Sequence, residues 1–340
     1  MTTGGHKLNC GVIGVGRLGY RHAASVVRNP RAKLLAVADP MAEARAKAES
    51  DFGSISVHDD YRRVLDNKDI EAVVIATPTQ QHYAILVDAV RAGKKIFVEK
   101  PITYTLEEAE NICALASKAG TFLQVAFMRR FDPGHTAAKK MIDAGEIGDP
   151  LYINDIQRDP HGPPKHYVPQ SGGIFVDMAI HNLDCVRWLM GKEIASVYAH
   201  GAVLKYDYLK EMDDVDEGDM LVTFENGTLG HVEVSRNASE IYDIRTEVVG
   251  SKGSVYIGEA QHTPFIKVSG AGLTYDVASW CLGRFEKAYE LEVDAFVDAV
   301  LNDKPSPVSA QDGMIALKLA KAATASKKSS KAIQIDAFKG

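Results

Sequence analysis

Cysteine, tryptophan and positive charge are all scarce in this chain. Its 340 residues contain four cysteines and two tryptophans, and 45 acidic side chains outnumber 39 lysines and arginines. The cysteines are Cys10, Cys113, Cys185 and Cys281. Because they are scattered without paired spacing, they predict reduced thiols and no zinc cluster of the Cys-x-x-Cys kind. The net charge of −6 argues against a nucleic-acid partner, since phosphates repel an acidic surface.

Long apolar runs are also lacking. The longest ones have the length of short strands, so we expect no membrane span and no membrane partner. Residues 1–7 do not show the charged-then-apolar order of a signal peptide, which favours a cytoplasmic location. The length exceeds that of one ordinary core and predicts two domains, which we place at 1–126 and 127–340.

A glycine-rich turn follows the first apolar strand. The strand runs from Leu8 to Gly14, and the turn reads Gly14-Val-Gly16-Arg17-Leu18-Gly19 before a helix begins. In this pattern Gly14 permits a tight turn, and Gly16 lets the backbone approach a pyrophosphate at the helix N-terminus. We expect Gly14, Gly16, Arg17 and Leu18 to bind a dinucleotide.

An acidic residue ends the second strand at Asp39. It lies about 20 residues after Gly19, where an acid meets the adenosine ribose hydroxyls of a dinucleotide. Asp39 would also repel a 2′-phosphate, which favours NAD over NADP. The alternative is an ordinary strand–helix turn in which Asp39 caps the next helix.

Strands and helices continue to alternate up to residue 126. Strands are predicted at 72–77, 95–101 and 121–126, with helices at 82–92 and 106–119 between them. This alternation predicts an α/β Rossmann domain with a doubly wound parallel sheet, whose ligand lies beyond the carboxyl ends of the strands. The candidate cofactor-binding residues at or near these ends are Thr77, Pro78, His82, Glu99 and Lys100.

The pattern changes after residue 127. An alternating strand at 151–157 is followed by two strands, 219–225 and 228–235, around Asn226-Gly227, a strong hairpin signal. Further strands are expected at 244–249 and 254–257. We therefore predict an α+β domain with an open, mainly antiparallel sheet, whose uncovered face favours self-association.

A helix between the glycine pair Gly172-Gly173 and Gly191 carries Asp177, His181 and Asp184. Their spacing predicts one polar stripe on a helix whose other face is apolar. A carboxylate beside a histidine can hold the imidazole in one tautomer and make it a better base. The alternative is an ordinary surface contact.

These motifs in combination resemble the glucose-fructose oxidoreductase/inositol dehydrogenase family. The resemblance rests on Glu99-Lys100-Pro101 after the glycine-rich turn and on the later Gly-Gly-x-x-x-Asp-x-x-x-His, and it covers essentially the whole chain. Within the family it is strongest to the inositol dehydrogenases, through Ala126–Asp132, Arg158-Asp159-Pro160, Ser171-Gly-Gly and Tyr242–Arg245. Two departures, Gln157 and Glu240-Ile241-Tyr242, fall in the implied substrate site.

The resemblance implies NAD-dependent oxidation of a cyclic polyol, myo- or scyllo-inositol, to the corresponding inosose. Lys100, Asp177 and His181 would form the catalytic group, with His181 as the general base and no metal. The implied polyol pocket further contains Arg130, Gln157, Asp159 and Tyr242. The likeness also implies a homotetramer packed through the open sheets.

Three alternatives remain open. A pyranose sugar dehydrogenase would use the same scaffold with either NAD or NADP. A non-catalytic NAD-binding regulator would have no use for Lys100, Asp177 and His181 together. A metal-dependent lyase would use Asp177, His181 and Asp184 as ligands.

Overall fold

The computed structural model describes residues 6–239, 241–258, 266–270, 272–274, 276–277 and 280–340. Glu240, one of the departures from the family pattern, lies outside the described residues. Within the described chain, no helix combines the length and apolar character needed to cross a bilayer.

The chain divides into two compact units. The first comprises Met1–Met128 and Lys287–Met314, and the second comprises Arg129–Glu286 and Ile315–Gly340. The observed division after Met128 lies close to the predicted boundary. Residues 287–314, which the sequence interpretation assigns to the second domain, belong instead to the first unit, because their apolar side chains pack into its core.

The first unit begins with alternating strands and helices. In chain order these are β1 (Leu8–Ile13), α1 (Arg17–Arg28), β2 (Ala32–Ala38), α2 (Ala42–Phe52), β3 (Ser56–His58), α3 (Arg62–Asp66), β4 (Ala72–Ile75), α4 (Thr79–Arg91), β5 (Lys95–Glu99), α5 (Leu106–Ala119) and β6 (Leu123–Ala126). The strands form one sheet in the order β3-β2-β1-β4-β5-β6, and every pairing is parallel. The prediction of a doubly wound Rossmann sheet is confirmed.

The rest of the chain contains the second sheet. The elements are α6 (Pro133–Asp143), β7 (Pro150–Arg158), α7 (Val168–Ser171), α8 (Ile180–Met190), β8 (Ile194–Ala202), β9 (Glu217–Phe224), β10 (Leu229–Ser235), β11 (Asp243–Gly250), β12 (Ser254–Ile257), β13 (Lys267–Ser269), β14 (Gly272–Thr274), α9 (Cys281–Arg284), α10 (Glu286–Leu301), α11 (Ala310–Ser329) and β15 (Ile333–Gln334). Short 3₁₀ helices span Met128–Phe131 and Asp207–Met212, and a π-helical turn spans Phe175–Ala179.

The second sheet has the strand order β12-β11-β7-β10-β9-β8-β15. Among the described pairings, β7 with β10 is parallel and the others are antiparallel. The Asn226-Gly227 hairpin joins β9 to β10, with Gly227 at φ 84°. The prediction of a mainly antiparallel sheet is thus confirmed.

One face of this sheet is open in the described chain. Tyr198 lies opposite Leu221, and Leu229 lies opposite Tyr152, and all four side chains are exposed. The opposite face is buried, with Val197, Val222 and Val232 at most 1% exposed. The predicted homotetramer through this open face stays a prediction.

Helix α10 completes the core of the first unit. The ring of Phe296 lies 5.6 Å from that of Phe97 and 5.7 Å from that of Phe122, both in edge-to-face geometry. Gln124 Nε2 donates to the carbonyl of Glu292 at 3.1 Å.

Candidate active site

The glycine-rich turn of the first unit has the geometry of a phosphate-binding loop. Gly14 adopts φ +84°, and a Cβ there would lie 2.7 Å from the carbonyl oxygen of Ala76. A Cβ on Gly19 would lie 1.8 Å from the carbonyl oxygen of Gly14, so helix and strand approach too closely for a side chain. By contrast, a Cβ on Gly16 would have no described atom within 4 Å. The space beside Gly16 therefore suits a ligand.

Helix α1 presents its N-terminus next to this space. It begins at Arg17, and no side chain caps its first amides. Gly16 and Arg17 are exposed, and Leu18 is half-buried. Because uncapped helix N-termini carry free amide donors and partial positive charge, this end of the helix fits the pyrophosphate of a dinucleotide.

Asp39 anchors the start of the same turn. Its Oδ2 accepts a hydrogen bond from the Val15 amide at 2.8 Å, and its Oδ1 accepts one from the Met41 amide at 2.8 Å. Asp39 therefore accepts from the residue that precedes α2, but no side chain caps the helix itself, unlike in the alternative interpretation. Each carboxylate oxygen has a second lone pair, so these contacts leave Asp39 able to accept from a ribose hydroxyl as well.

Thr77, Pro78 and His82 lie where β4 meets α4. The helix starts at Thr79, so His82 falls in its first turn rather than at its predicted start. His82 Nδ1 lies 2.9 Å from the carbonyl of Pro101, and Nε2 lies 2.9 Å from the carbonyl of Thr77. Burial lowers the pKa of His82. This buried imidazole therefore bridges two loops that follow neighbouring strands.

The hydroxyl of Thr77, at the end of β4, is a polar group to which a bound cofactor could supply a hydrogen bond. Thr77 Oγ1 is buried and has no hydrogen-bond partner among the described residues. Thr77 Cγ2 lies 3.0 Å from the point where a Cβ of Gly14 would stand. Because a buried hydroxyl without a partner is costly, a ligand that reaches Thr77 beside the glycine turn would be stabilised. The first unit therefore fits NAD.

Glu99 and Lys100 end strand β5. Glu99 is buried, and its Oε1 lies 2.7 Å from Nε2 of His22. Its Oε2 accepts a hydrogen bond from the Lys100 amide at 3.2 Å. Lys100 is half-buried. Strand β5 thus fixes the main chain of Lys100 through the side chain of the preceding residue.

In the second unit, the predicted helix begins with a π-helical turn. Gly172 and Gly173 adopt φ +78° and +82°, and Gly191 ends the helix at φ +61°. The amides of Val176 and Asp177 both donate to the carbonyl of Gly173, at 3.1 and 2.8 Å. The prediction of a helix between the glycines is confirmed, but the π-helical turn at Phe175–Ala179 is not predicted. Such turns occur frequently at functional sites.

Asp177 lies in this turn, where its carboxylate contacts the side chains of Tyr167 and Arg236. Tyr167 Oη donates to Asp177 Oδ1 at 2.8 Å, and an Arg236 nitrogen lies 3.2 Å from Asp177 Oδ2. Arg236 is buried and also pairs with Asp214 at 3.0 Å. Asp214 in turn accepts a hydrogen bond from the Ile174 amide at 2.9 Å. This network holds the first turn of the helix to the end of β10.

Sequence reasoning missed Tyr167, Arg236 and Asp214. Arg236 directly follows β10, so the strand-end argument applied to the first domain would have found it. Nothing in the local pattern indicates that Tyr167, in a Pro-rich loop, reaches Asp177.

His181 and Asp184 are both buried in α8. Arg130 binds Asp184 through two hydrogen bonds, Nε to Oδ2 at 2.8 Å and an NH2 nitrogen to Oδ1 at 2.6 Å. The Arg130 guanidinium also lies 5.9 Å from the centre of the Trp188 ring. Asp184 is therefore the partner of a buried bidentate ion pair. The contact of Arg130 with a polyol stays a prediction.

A buried carboxylate holds α8 on the sheet. Asp155 of β7 accepts a hydrogen bond from Asn182 Nδ2 at 2.8 Å and one from the hydroxyl of Thr246. Arg129 lies 3.4 Å from the same carboxylate. Burial raises the pKa of Asp155 despite the opposing charge of Arg129. Since Asn182 follows His181, this contact fixes the helix next to the imidazole.

Gln157, Asp159 and Tyr242 lie together in the second unit. Gln157 Nε2 donates to Asp159 Oδ1 at 3.4 Å. Burial raises the pKa of Asp159 to about 6 against the effect of Gln157, and the charge of Asp177 adds to the rise. Burial, followed by the charge of Asp159, raises the pKa of Tyr242. Asp159 thus interacts electrostatically with both Asp177 and Tyr242.

The described residues contain no group of three or more His, Cys, Asp or Glu side chains arranged to hold a metal. In the metal-dependent alternative, Asp184 would have to leave its bidentate contact with Arg130. The donor set of this site therefore favours hydrogen bonding over metal coordination.

Two family models match the chain. Residues 8–127 match "Oxidoreductase family, NAD-binding Rossmann fold", and residues 139–335 match "Oxidoreductase family, C-terminal alpha/beta domain" of the same Gfo/Idh/MocA family. The predicted NAD cofactor is confirmed by this match.

Individual relatives match over nearly their whole length. The chain is 40% identical over 332 residues to scyllo-inositol 2-dehydrogenase (NAD(+)) of Bacillus subtilis, with 97% of each chain covered. It is 31% identical to Myo-inositol 2-dehydrogenase of Thermotoga maritima, covering 97% of this chain and 99% of the relative.

The structure is also similar to a crystal structure of scyllo-inositol dehydrogenase from Lactobacillus casei with bound NAD(H) and scyllo-inositol. The TM-score is 0.92 at 30% sequence identity, over 97% of this chain and all of the other. These matches confirm the resemblance seen in the sequence. The chain belongs to the glucose-fructose oxidoreductase/inositol dehydrogenase family and is an NAD-dependent oxidoreductase.

Proposed function

We propose that this protein oxidises one ring hydroxyl of myo- or scyllo-inositol to the corresponding inosose, with NAD as the hydride acceptor. The observation that carries the proposal is a polar cluster of the second unit. Gln157 and Tyr242 are buried, and Gln157 donates to the half-buried Asp159. The charge of Asp177 raises the pKa of Asp159, and the charge of Asp159 raises that of Tyr242. A cyclic polyol presents many hydroxyls, each of which both donates and accepts. Carboxylates, an amide and a phenol are suited to recognise such a ligand. The similarity to NAD-dependent inositol dehydrogenases supports this assignment.

Oxidation of a secondary alcohol removes a proton from oxygen while hydride leaves carbon. NAD, when bound, supplies the hydride acceptor. His181 accepts the proton from the hydroxyl as general base. Asp177, held by Tyr167 and Arg236, stabilises the imidazolium that forms. Lys100 stabilises the developing alkoxide through a charge-assisted hydrogen bond.

The remaining polar residues distinguish one hydroxyl from another. Gln157 lies at the end of β7, Asp159 directly follows that strand, and Tyr242 precedes β11. We propose that these three side chains bind the hydroxyls that are not oxidised. Because one unmatched buried hydroxyl weakens binding strongly, they determine which polyol is accepted.

Absorbance at the NADH band of the purified protein tests this function. The substrates are myo-, scyllo- and D-chiro-inositol, glucose, galactose and xylose, each with NAD and, in parallel, with NADP. NADH formation with inositols supports the proposal and ranks the isomers. A preference for a sugar would replace the substrate and keep the chemistry. Binding of NAD without any reduction would refute the catalytic assignment and favour a regulator.

A further inference from the structure

Three ionisable side chains form a buried row in the first unit. His22 of α1 lies between Glu99, at the end of β5, and Glu292 of α10. His22 and Glu292 are fully buried, and Glu99 is 6% exposed. His22 Nε2 lies 2.7 Å from Glu99 Oε1, and His22 Nδ1 lies 4.0 Å from Glu292 Oε1. The proposed reaction uses neither His22 nor Glu292.

The surroundings of the row are apolar. The His22 ring lies 5.0 Å from the ring of Phe97 and 6.1 Å from that of Tyr289. One imidazolium can balance one carboxylate, but a second ionised carboxylate in such a core would be strongly unfavourable. One of the two glutamates must therefore carry a proton.

The hydrogen bonds indicate which glutamate carries the proton. Glu99 has the short contact to His22 and also accepts from the Lys100 amide at 3.2 Å. Both carboxyl oxygens of Glu292 lack a hydrogen-bond partner among the described residues. Burial, followed by the charge of Glu99, raises the pKa of Glu292 well above its usual range. The absence of any described hydrogen-bond donor to Glu292 therefore assigns the proton to this residue.

We propose that Glu292 is a permanently neutral acid and that His22 and Glu99 are positioning residues for Lys100. A neutral Glu292 does not compete for the imidazole, so His22 stays bound to Glu99 Oε1. Glu99 is then fixed, and its Oε2 holds the main-chain amide of Lys100. The effect of Lys100 positioning on catalysis rests on the proposed role of Lys100 in alkoxide stabilisation. The protonation of Glu292 does not depend on that proposed function.

Infrared difference spectroscopy tests the protonation of Glu292. The spectrum of the wild-type protein minus that of Glu292→Gln at neutral pH should show the carbonyl stretch of a protonated carboxyl group. Glu290→Gln is the matched control, because Glu290 is on the same helix and pairs with Arg28 at 3.0 Å. Its difference spectrum should show ionised carboxylate bands. Carboxylate bands from Glu292 as well would overturn the proposal.

Two substitutions of His22 test the positioning of Lys100. His22→Leu removes the donor to Glu99, whereas His22→Gln keeps a donor near the position of Nε2. We expect His22→Leu to lower kcat about tenfold, with NAD Kd within about twofold and KM for the polyol nearly unchanged. His22→Gln should restore most of the turnover. Unchanged turnover in His22→Leu, or an equal loss of NAD binding, would contradict the proposal.

A further measurement does not depend on catalysis. In protein labelled with ¹⁵N-lysine, the Lys100 amide signal is assigned by its loss in Lys100→Arg. It should shift in His22→Leu and Glu99→Gln and return toward its original position in His22→Gln. An unshifted signal in His22→Leu would overturn the proposal. If the wild-type protein oxidises no polyol, the proposed function fails, while this signal still decides the positioning of Lys100.

Discussion

Arg236 and Asp177 are 59 residues apart in the chain, and a guanidinium nitrogen of Arg236 lies 3.2 Å from Asp177 Oδ2. The same guanidinium pairs with Asp214, which accepts from the first amide of the helical segment that contains Asp177. The guanidinium of Arg236, which directly follows strand β10, thus lies against the carboxylate of Asp177. The position of the π-helical turn depends on this contact rather than on helix propensity alone.

Replacement of Arg236 by Gln should destabilise the protein strongly. Removal of the buried guanidinium takes away a positive charge that faces both Asp177 and Asp214, which we expect to cost about 3 kcal/mol. The free energy of unfolding, measured in urea at fixed protein concentration, tests this expectation. Arg245→Gln is the control, because Arg245 is half-exposed beside Asp243 and should cost about 0.5 kcal/mol. Equal effects of the two substitutions would refute the role of Arg236.

Replacement of His181 by Ala should lower kcat by about 10²–10⁴-fold, the usual contribution of a general base. The affinity for NAD, measured by fluorescence titration, should stay nearly unchanged. His6→Ala is a suitable control, since His6 is exposed and pairs with Glu71. A loss of NAD binding as large as the loss of rate would show that His181 is not the base.

Gly16→Ala should separate cofactor binding from folding. A Cβ at Gly16 meets no described atom within 4 Å, so the thermal midpoint should change little. The methyl group would instead occupy the space proposed for the pyrophosphate, and we expect the NAD Kd to rise about tenfold. Gly19→Ala provides the contrast, because its Cβ would clash with Gly14 and should prevent stable folding. Unchanged NAD binding in Gly16→Ala would place the pyrophosphate elsewhere.

Asp159 should make stability depend on pH. Its pKa of about 6 in the folded protein lies above the ordinary value for Asp. The folded state therefore retains a proton that the unfolded state has lost, and wild-type stability falls as pH rises from about 4 to about 6. The free energy of unfolding of Asp159→Asn minus that of the wild type should rise by about 2 kcal/mol over this interval.

Urea titrations between these pH values, with Asp207→Asn as the exposed control, measure this dependence. The control should give a nearly constant difference from the wild type. A constant difference for Asp159→Asn would show that the carboxyl group ionises as it does in the unfolded chain.

The first sheet could be predicted because each of its signals is local. The glycines from Gly14 to Gly19 lie within one turn, and α5 has the predicted bounds because Thr105 and Glu108 form a capping box at its start. The hairpin at Asn226-Gly227 could also be predicted, because its signal lies in two neighbouring residues.

The partners of the site residues could not be predicted in the same way. Arg130 meets Asp184, and Tyr167 and Arg236 meet Asp177, only after the chain has folded. Such pairs depend on long-range packing, and a charged residue in a sequence has many possible partners. The sequence could therefore indicate candidate residues in the second unit, while the network that fixes Asp177 required the structure.

Residues 287–314 belong to the first unit although they lie near the end of the chain, and this affects when that unit can fold during synthesis. Phe296 packs against Phe97 and Phe122, so part of the core of the first unit is supplied near the end of the chain. Although ribosomes deliver the N-terminal segment first, the cofactor-binding unit cannot complete its core until about nine-tenths of the polypeptide has been translated. The unit whose sequence is synthesised first therefore finishes folding late. Until α10 has been translated, the apolar surface around Phe97 stays uncovered.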